Sequence, residues 1–134
     1  MRTTRGLITP QRIAICHVLE TSKDFPTVQQ IMERARTHDP KICLSTVYRT
    51  LKVGIDLGIT RRLEFNGTQG RFCVAQKVPR DHLFDTESGE VIPFQNDAFN
   101  HMKPKIAEQL GYEMQSFKVE LYGVPKTLDE QHSS

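Results

Sequence analysis

Cysteines and long apolar stretches are both scarce in this chain of 134 residues. Its three cysteines, Cys16, Cys43 and Cys73, form no close pair, and an odd number of separated cysteines argues against a framework of disulfides. No apolar run is long enough to cross a lipid bilayer, and no apolar stretch of signal-peptide length precedes Pro10. We therefore expect a cytoplasmic protein that has no membrane partner.

Sequence motifs of common enzyme classes are also missing. The chain contains no HExxH motif, no phosphate-binding glycine loop and no recognisable pair of nucleophile and base. Such motifs supply the reacting groups of metal-dependent hydrolases, phosphate-transferring enzymes and acyl-transferring enzymes. The sequence therefore predicts a protein that is not an enzyme.

Charge is distributed unevenly along the chain, although the net charge is only +2. Residues 1–79 contain 13 Lys and Arg against 6 Asp and Glu, whereas residues 80–134 contain 5 against 10. The first part therefore carries +7 and the second −5. This division suits a DNA-facing module followed by an assembly module, although chance variation on solvated surfaces also produces such an imbalance.

Two helices are predicted at the start of the basic part. Thr9 is suited to cap the first helix, and Pro10 suits its first position. The predicted apolar stripe of this helix consists of Ile13, Cys16, Val18 and Leu19. In the second helix, Thr27 and Gln30 form a capping-box pattern. Its predicted inward-facing residues are Val28, Ile31, Met32 and Ala35.

A third predicted helix contains the most informative segment, STVYRTL from Ser45 to Leu51. A helix that enters the DNA major groove contacts bases mainly through its N-terminal residues, and Tyr48 and Arg49 lie in the opening turns. Gly58 is suited to end this helix, because glycine adopts the left-handed conformation without strain. Its predicted core residues are Val47, Leu51, Ile55 and Leu57. The segment therefore predicts a DNA-reading helix.

A hairpin is predicted after the third helix. Two apolar-rich runs, 59–65 and 71–75, flank the step Asn66-Gly67, which is typical of a hairpin turn. Three helices followed by a hairpin are the element order of a winged helix, in which the hairpin is the wing. The fold class is predicted to be α+β, with an N-terminal winged-helix DNA-binding domain and then a small α/β dimerisation domain.

The acidic part is predicted to contain strands over 81–86 and 90–94, a helix over 97–110 and a last strand over 112–122. Pro104 is expected to kink or break the helix. So small a sheet leaves an edge that a second copy of the chain can cover, which predicts a homodimer. The predicted boundaries are 1–76 for the DNA-binding domain, 77–80 for a hinge, 81–123 for the dimerisation domain and 124–134 for a flexible tail.

Seven short motifs occur along the chain in a recognisable order. They are TPQR at 9–12, FPT at 25–27, STVYRTL at 45–51, DHL at 81–83, GEVIPF at 89–94, KIAEQLGY at 105–112 and ELYG at 120–123. This set resembles the ferric uptake regulator family over nearly the whole chain. The resemblance implies a dimeric transcriptional regulator, expected to be a repressor, in a group that includes iron, zinc, manganese and peroxide sensors.

The resemblance also implies which residues meet DNA. Tyr48 corresponds to a position that contacts thymine methyl groups or sugar, and Arg49 to one that contacts phosphate or base. The remaining candidates for DNA contact are Ser45, Thr46, Arg12, Lys41, Lys52, Arg61 and Arg62. Phosphate contacts supply affinity, and a few groove contacts supply specificity. The expected partner is a double-stranded DNA operator that is palindromic and AT-rich.

Positions that bind metal in this family are largely changed here. Two CxxC pairs commonly hold a structural zinc, but Asp85 and Ser88 stand at the first pair's positions, and the second pair is absent. The positions of the family's sensing site hold Phe25, Cys73, His82 and Pro93, and those of a neighbouring site hold Pro79, Asp81, Asn100 and Phe117. Because phenylalanine and proline side chains cannot bind metal, we expect packing to replace metal. We expect that no cofactor is required. The only metal binding expected is weak binding of a divalent zinc, manganese or iron ion.

An alternative keeps the regulator but gives it a rearranged switch. Asp81, His82, Cys73 and His101 are the residual candidates for a metal or thiol site. Cys43 precedes the third helix, where a thiol can have a lowered pKa and react with peroxide. A metal titration followed by operator affinity distinguishes this alternative from a regulator that needs no metal.

Overall fold

The chain divides into two compact units, Met1–Lys77 and Val78–Ser134. The computed structural model describes residues 9–76 and 80–127. Most of the predicted hinge, at 77–79, and most of the predicted tail, at 128–134, lie outside these described residues. The predicted domain boundaries therefore stay a prediction, and each unit is described by itself.

The first unit contains three helices followed by a two-stranded antiparallel sheet. Its elements are α1 (Pro10–Thr21), α2 (Val28–Ala35), α3 (Leu44–Asp56), β1 (Thr60–Leu63) and β2 (Arg71–Val74). The strands pair in a register that sets Thr60 opposite Val74 and Leu63 opposite Arg71. This order confirms the predicted winged helix, with β1 and β2 as the wing.

Local sequence explains where these helices begin and end. Thr9 caps α1, because its hydroxyl accepts a hydrogen bond of 3.3 Å from the Arg12 N–H. The predicted capping box opens α2, since the Thr27 hydroxyl accepts from the Gln30 N–H and the Gln30 side chain accepts from the Thr27 N–H. Gly58 follows α3 with a φ of +75°, a conformation that suits glycine.

One buried cluster holds the first unit together. Its members are Ala14, Ile15, Val18, Leu19, Val28, Ile31, Ala35, Ile42, Val47, Leu51 and Phe72, with Met32 and Val74 packed against them. The predicted inward face of α2 is therefore confirmed. The prediction for α1 is wrong at Ile13, which is 54% exposed, because the buried face is shifted toward Ala14 and Ile15.

The predicted core face of α3 is also wrong at its C-terminal end. Ile55 and Leu57 are exposed, whereas Thr50 and Gly54 are buried. A Cβ on Gly54 would lie only 2.9 Å from the Thr60 Cβ, so glycine lets α3 approach β1 closely. The helix therefore faces the wing through its smallest residue.

The second unit is built around a three-stranded sheet. Its elements are β3 (Asp81–Asp85), β4 (Val91–Phe94), α4 (Asp97–Gln109) and β5 (Glu120–Gly123). The strand order is β4-β3-β5, with β4 antiparallel and β5 parallel to the central strand. α4 lies in the segment that connects β4 to β5, and these two strands flank β3 on opposite sides.

One prediction for this unit is wrong, and a second is wrong in part. The last strand is shorter than predicted, because only Glu120–Gly123 pairs with β3 and residues 112–119 belong to no strand of the described structure. The predicted break at Pro104 is wrong, since the helix continues from Asp97 to Gln109, while the kink stays a prediction. Its N-terminus is capped by Asn96, whose side chain accepts a 3.0 Å hydrogen bond from the Phe99 N–H.

Candidate nucleic-acid interface and metal positions

The two sides of α3 have different roles. Val47, Thr50, Leu51 and Gly54 form the buried side, at the helical spacing that one face requires. The opposite side presents Ser45, Tyr48, Arg49 and Lys52 to solvent. Tyr48 is 58% exposed, although an aromatic ring gains free energy when it is buried. An exposed tyrosine beside two cations suits contact with a second molecule.

The other predicted DNA-contact residues differ in exposure. Lys41, just before α3, and Arg62, on β1, are exposed. Arg12 and Arg61 are half-buried, as is Thr46. Arg49 and Lys52 of α3 are therefore more accessible than Arg12 of α1.

Cys43 lies at the N-cap of α3 and is exposed. Its sulfur is 3.1 Å from the Ser45 hydroxyl and 3.4 Å from the Thr46 hydroxyl. Hydrogen bonds from these two hydroxyls stabilise the thiolate and lower the pKa of Cys43 to about 6, and Ser45 makes the larger contribution. Ser45 and Thr46, which are candidates for DNA contact, therefore also hydrogen-bond to this thiol.

The wing and α3 share a cavity of about 270 Å³. Tyr48 and Arg62 both line it, together with Gly70 and Phe72. The Arg62 guanidinium lies 5.9 Å from the centre of the Phe72 ring and 2.8 Å from a Glu64 carboxylate oxygen. The structure therefore brings a predicted wing contact next to a predicted helix contact.

Gly70 permits this position of Arg62. A Cβ on Gly70 would lie 2.8 Å from the Arg62 Nε, which is closer than side chains approach. Neither Gly70 nor Glu64 was expected to take part in the interface. The close approach depends on the wing register, which the sequence pattern alone does not specify.

The four residual metal candidates belong to different units, with Cys73 in the first and Asp81, His82 and His101 in the second. Within residues 9–76 of the first unit, and likewise within residues 80–127 of the second, no three His, Cys, Asp or Glu side chains lie close enough to share a metal ion. Cys73 is half-buried on β2, and burial raises the pKa of its thiol. His82 is buried on β3 opposite Pro93, while His101 is exposed on α4.

Asp81 already has a cationic partner. Its carboxylate lies 3.4 Å from the Lys103 ammonium, and both side chains are 9% exposed. A metal ion at Asp81 would have to displace this ammonium, so the described residues do not fit a metal there. Lys103 was not expected to have a role, because its partner Asp81 is 22 residues away in the sequence.

The turn between β3 and β4 is closed by side chains at the positions of the missing cysteines. One Asp85 carboxylate oxygen accepts hydrogen bonds from the backbone N–H groups of Glu87, at 2.8 Å, and Ser88, at 3.2 Å. These two bonds lower the pKa of Asp85. The Ser88 hydroxyl accepts from the Glu90 N–H at 3.1 Å. Hydrogen bonds therefore hold a turn that has no cysteine.

Comparison with known proteins agrees with these features. The model of the ferric uptake regulator family matches residues 5–122. A ferric uptake regulation protein of Rhizobium leguminosarum bv. viciae is 38% identical to the chain over 124 residues, which are 92% of this chain and 87% of that protein. The peroxide-responsive repressor PerR of Staphylococcus aureus strain USA300 is 27% identical over 92% of this chain and 83% of its own length.

A solved structure is similar as well. A zinc-bound manganese uptake regulator is 36% identical, with a TM-score of 0.74, and the match covers 92% of this chain and 96% of that one.

No helix within residues 9–76 and 80–127 has the length and apolarity needed to cross a bilayer.

These comparisons correct the expectation about cofactors. The similar manganese uptake regulator binds zinc, and other proteins of the same fold have been solved with iron or manganese. The prediction that no metal cofactor is required is therefore wrong. The prediction rested on the loss of usual ligands at particular positions, which was not sufficient reason to expect that the whole protein needs no metal.

Proposed function

Because the chain belongs to the ferric uptake regulator family, we propose that it is a dimeric, sequence-specific DNA-binding repressor of metal homeostasis or peroxide stress that acts in the cytoplasm. The observation that carries this proposal is the polar face of α3. Ser45, Tyr48, Arg49 and Lys52 are exposed on one side of this helix, while its opposite side is packed in the core.

The geometry suits insertion of α3 into the major groove. Its N-terminal turns carry Tyr48 and Arg49, and a helix N-terminus also attracts phosphate through its unpaired N–H groups. An arginine can donate two hydrogen bonds to one guanine, and an aromatic ring can pack on a thymine methyl group. Lys41, Lys52 and Arg62 are exposed cations that can bind phosphates beside the groove.

The second unit suits assembly with another copy. Met102 and Ile106 on α4 and Leu110 at its C-cap recur every four residues, and all three are exposed. Contiguous apolar surface of this kind usually marks an interface. A two-fold dimer would bury the same stripe on both copies and present two α3 helices to a palindromic operator. An AT-rich operator is part of the proposal, because Tyr48 suits thymine methyl groups.

A divalent transition metal is proposed as an effector of DNA binding. The family relationship supports this role, and the individual donors to test are His82, Cys73 and His101. Asp81 is the least available donor, since Lys103 is paired with it. The turn that Asp85 and Ser88 close is proposed to need no cysteine-bound zinc, because its backbone N–H groups are already satisfied.

Replacement of Arg49 by alanine tests the DNA interface. Loss of one bidentate base contact costs about 1–3 kcal/mol, which corresponds to about 5- to 150-fold weaker operator binding. A mobility-shift titration measures the change, and sedimentation checks that the oligomeric state is kept. Lys105→Ala is the matched control, because Lys105 is an exposed cation of the second unit. Equal affinity of Arg49→Ala and the control would contradict the proposal.

Metal dependence is tested on the same operator. The purified protein is treated with EDTA, and operator affinity is then measured with added Mn²⁺, Fe²⁺ or Zn²⁺. We expect at least about tenfold tighter binding with one of these ions, which is the usual scale of an allosteric coupling. Identical affinity in EDTA and in every metal would refute a metal effector while leaving DNA binding intact.

A further inference from the structure

The ammonium of Lys103 is buried in the second unit. It lies 3.4 Å from an Asp81 carboxylate oxygen and 3.2 Å from the Asn100 side-chain oxygen. A buried lysine is costly unless its charge is paired and its protons are hydrogen-bonded. Both conditions are met here, since one partner is anionic and the other accepts a hydrogen bond.

Two aromatic rings surround the same ammonium. Its nitrogen is 3.5 Å from the centre of the Phe117 ring and 4.5 Å from the centre of the Phe99 ring. The face of an aromatic ring attracts a cation at such distances. Lys103 is therefore held by four groups, which we name the Lys103 cage: Asp81, Asn100, Phe99 and Phe117.

The Lys103 cage joins three separate segments. Asp81 belongs to β3, Phe99 and Asn100 belong to α4, and Phe117 belongs to the stretch 112–119 that forms no strand of the described structure. No residue of α4 is fully buried, so this helix gains little from an apolar core. The cation consequently ties α4 and the 112–119 stretch to the sheet.

We infer that the Lys103 ammonium is the resident cation of this cage and keeps divalent metal away from Asp81. Asp81, Asn100 and Phe117 stand at three of the positions that the family resemblance assigns to a neighbouring metal site. A divalent ion would meet a like charge next to its one carboxylate ligand, and the two phenyl rings offer it no electron pair. Lysine thus supplies the positive charge from within the chain.

Metal content tests this exclusion directly. Wild type and the double variant Asp81→Asn/Lys103→Met are loaded with Zn²⁺ or Mn²⁺, dialysed and analysed by plasma mass spectrometry. The same number of equivalents in both supports the inference. Loss of one equivalent in the double variant overturns it, because Asp81 would then be a metal ligand. The measurement uses no DNA, so its result is independent of the proposed function.

A rebuilt site provides the converse test. Asn100→Glu/Phe117→His supplies two donors beside Asp81, and Lys103→Ala is added in a second variant. We expect about one extra metal equivalent only when Lys103 is also removed. Equal gain with Lys103 retained shows that the ammonium does not exclude metal. Gain in neither variant shows that the cage is no metal position, and either outcome overturns the inference.

A double-mutant cycle tests the charge pairing inside the cage. Urea unfolding is measured for Lys103→Met, Asp81→Asn and the double variant, with Lys105→Met as an exposed control on the same helix. Each single change leaves a buried polar partner unpaired, so we expect the double variant to be more stable than the sum of the single losses predicts. The expected coupling is about tenfold in the folding equilibrium constant. Additive losses would overturn the role of Lys103 as the cage cation.

Discussion

The two units of this chain differ in how far each buries its own apolar residues. In the first unit, three helices and the wing contribute to one buried cluster. In the second, no residue of α4 is fully buried, and Leu110 and Tyr112 are 70% and 74% exposed. Burial of apolar surface is the main stabilising contribution to folding, so this contribution is largely realised in the first unit and only partly in the second.

The charges differ in the same way. The basic part carries its cations beside an exposed polar helix face, whereas the acidic part carries an exposed apolar stripe. One surface suits a polyanion and the other suits a second protein surface. The comparison teaches that the surface of the first unit suits a charged partner, whereas that of the second suits self-association.

The largest expected effect is a loss of self-association. Ile106→Glu places a charge in the middle of the α4 stripe. Burying one isoleucine contributes about 1.5–3 kcal/mol, and a two-fold interface loses that contribution twice, so we expect dimerisation to weaken by about 100-fold or more. Sedimentation velocity across a concentration series measures the dissociation constant.

Gln109→Glu is the matched control for that change. It adds the same charge to an exposed position of α4 outside the apolar stripe. The control should remain dimeric, and its operator affinity should stay close to that of the wild type. A dimer of unchanged strength in Ile106→Glu would contradict the assignment of the second unit to self-association.

A smaller effect is expected from overpacking the first unit. In Gly54→Ala, the added methyl group would lie 2.9 Å from the Thr60 Cβ. Overpacking of this severity costs about 3 kcal/mol, against about 1 kcal/mol gained in helix propensity, which gives a net loss of about 2 kcal/mol. Gly123→Ala is the control in the second unit, because open space surrounds that position. Urea unfolding measures the free energy of unfolding of both variants. An equal loss in Gly54→Ala and Gly123→Ala would contradict the close packing of α3 on the wing.

The wing offers a finer test of the charged surface. Arg62→Ala should reduce the dependence of log operator affinity on log salt by about 1, because about one phosphate contact is lost. Glu64→Gln keeps the guanidinium but removes its 2.8 Å ion pair, so it should leave that slope unchanged. Titrations at several salt concentrations measure both variants. A salt slope that Arg62→Ala leaves intact would exclude Arg62 from the interface.

The smallest expected effect concerns the Cys43 thiol at the start of α3. The pKa of Cys43 is lowered to about 6, so its alkylation rate should rise with pH and reach half of its maximum near that value. Ser45→Ala removes the strongest hydrogen bond to the thiolate and should move the midpoint upward. Iodoacetamide kinetics followed by mass spectrometry measure the rate at Cys43. If Ser45→Ala leaves the midpoint unchanged, the hydrogen bond from Ser45 is not what lowers the pKa of Cys43.

Local patterns predicted much of the fold. The caps at Thr9 and Thr27 and the turn at Gly58 depend on neighbouring residues, and these features are confirmed. The exposure of Ile55 could not be predicted in this way, because the wing packs on Gly54 instead. The extent of β5 was also missed, because a strand needs a partner and only residues 120–123 have one on β3.

The interface and the metal positions differ in how predictable they were. Tyr48 and Arg49 lie on a single helix, whose 3.6-residue period alone sets them opposite the buried face. The Lys103 cage joins residues from three segments, and helical periodicity relates only Phe99 and Asn100 to Lys103, not Asp81 or Phe117. Loss of the usual metal ligands was visible in the sequence, but it was not sufficient reason to expect that no metal is required, since similar regulators have been solved with zinc, iron or manganese.

The sequence by itself determined the order of the helices and strands, the polar face of α3 and the division of charge between the two parts. These properties depend on residues close together in the chain. Tertiary structure alone decided that Gly54 meets Thr60, that Arg62 crosses Gly70, and that the Lys103 ammonium lies between a carboxylate and two phenyl rings. Such contacts depend on how distant segments pack, because steric fit and charge pairing act through space and not along the chain.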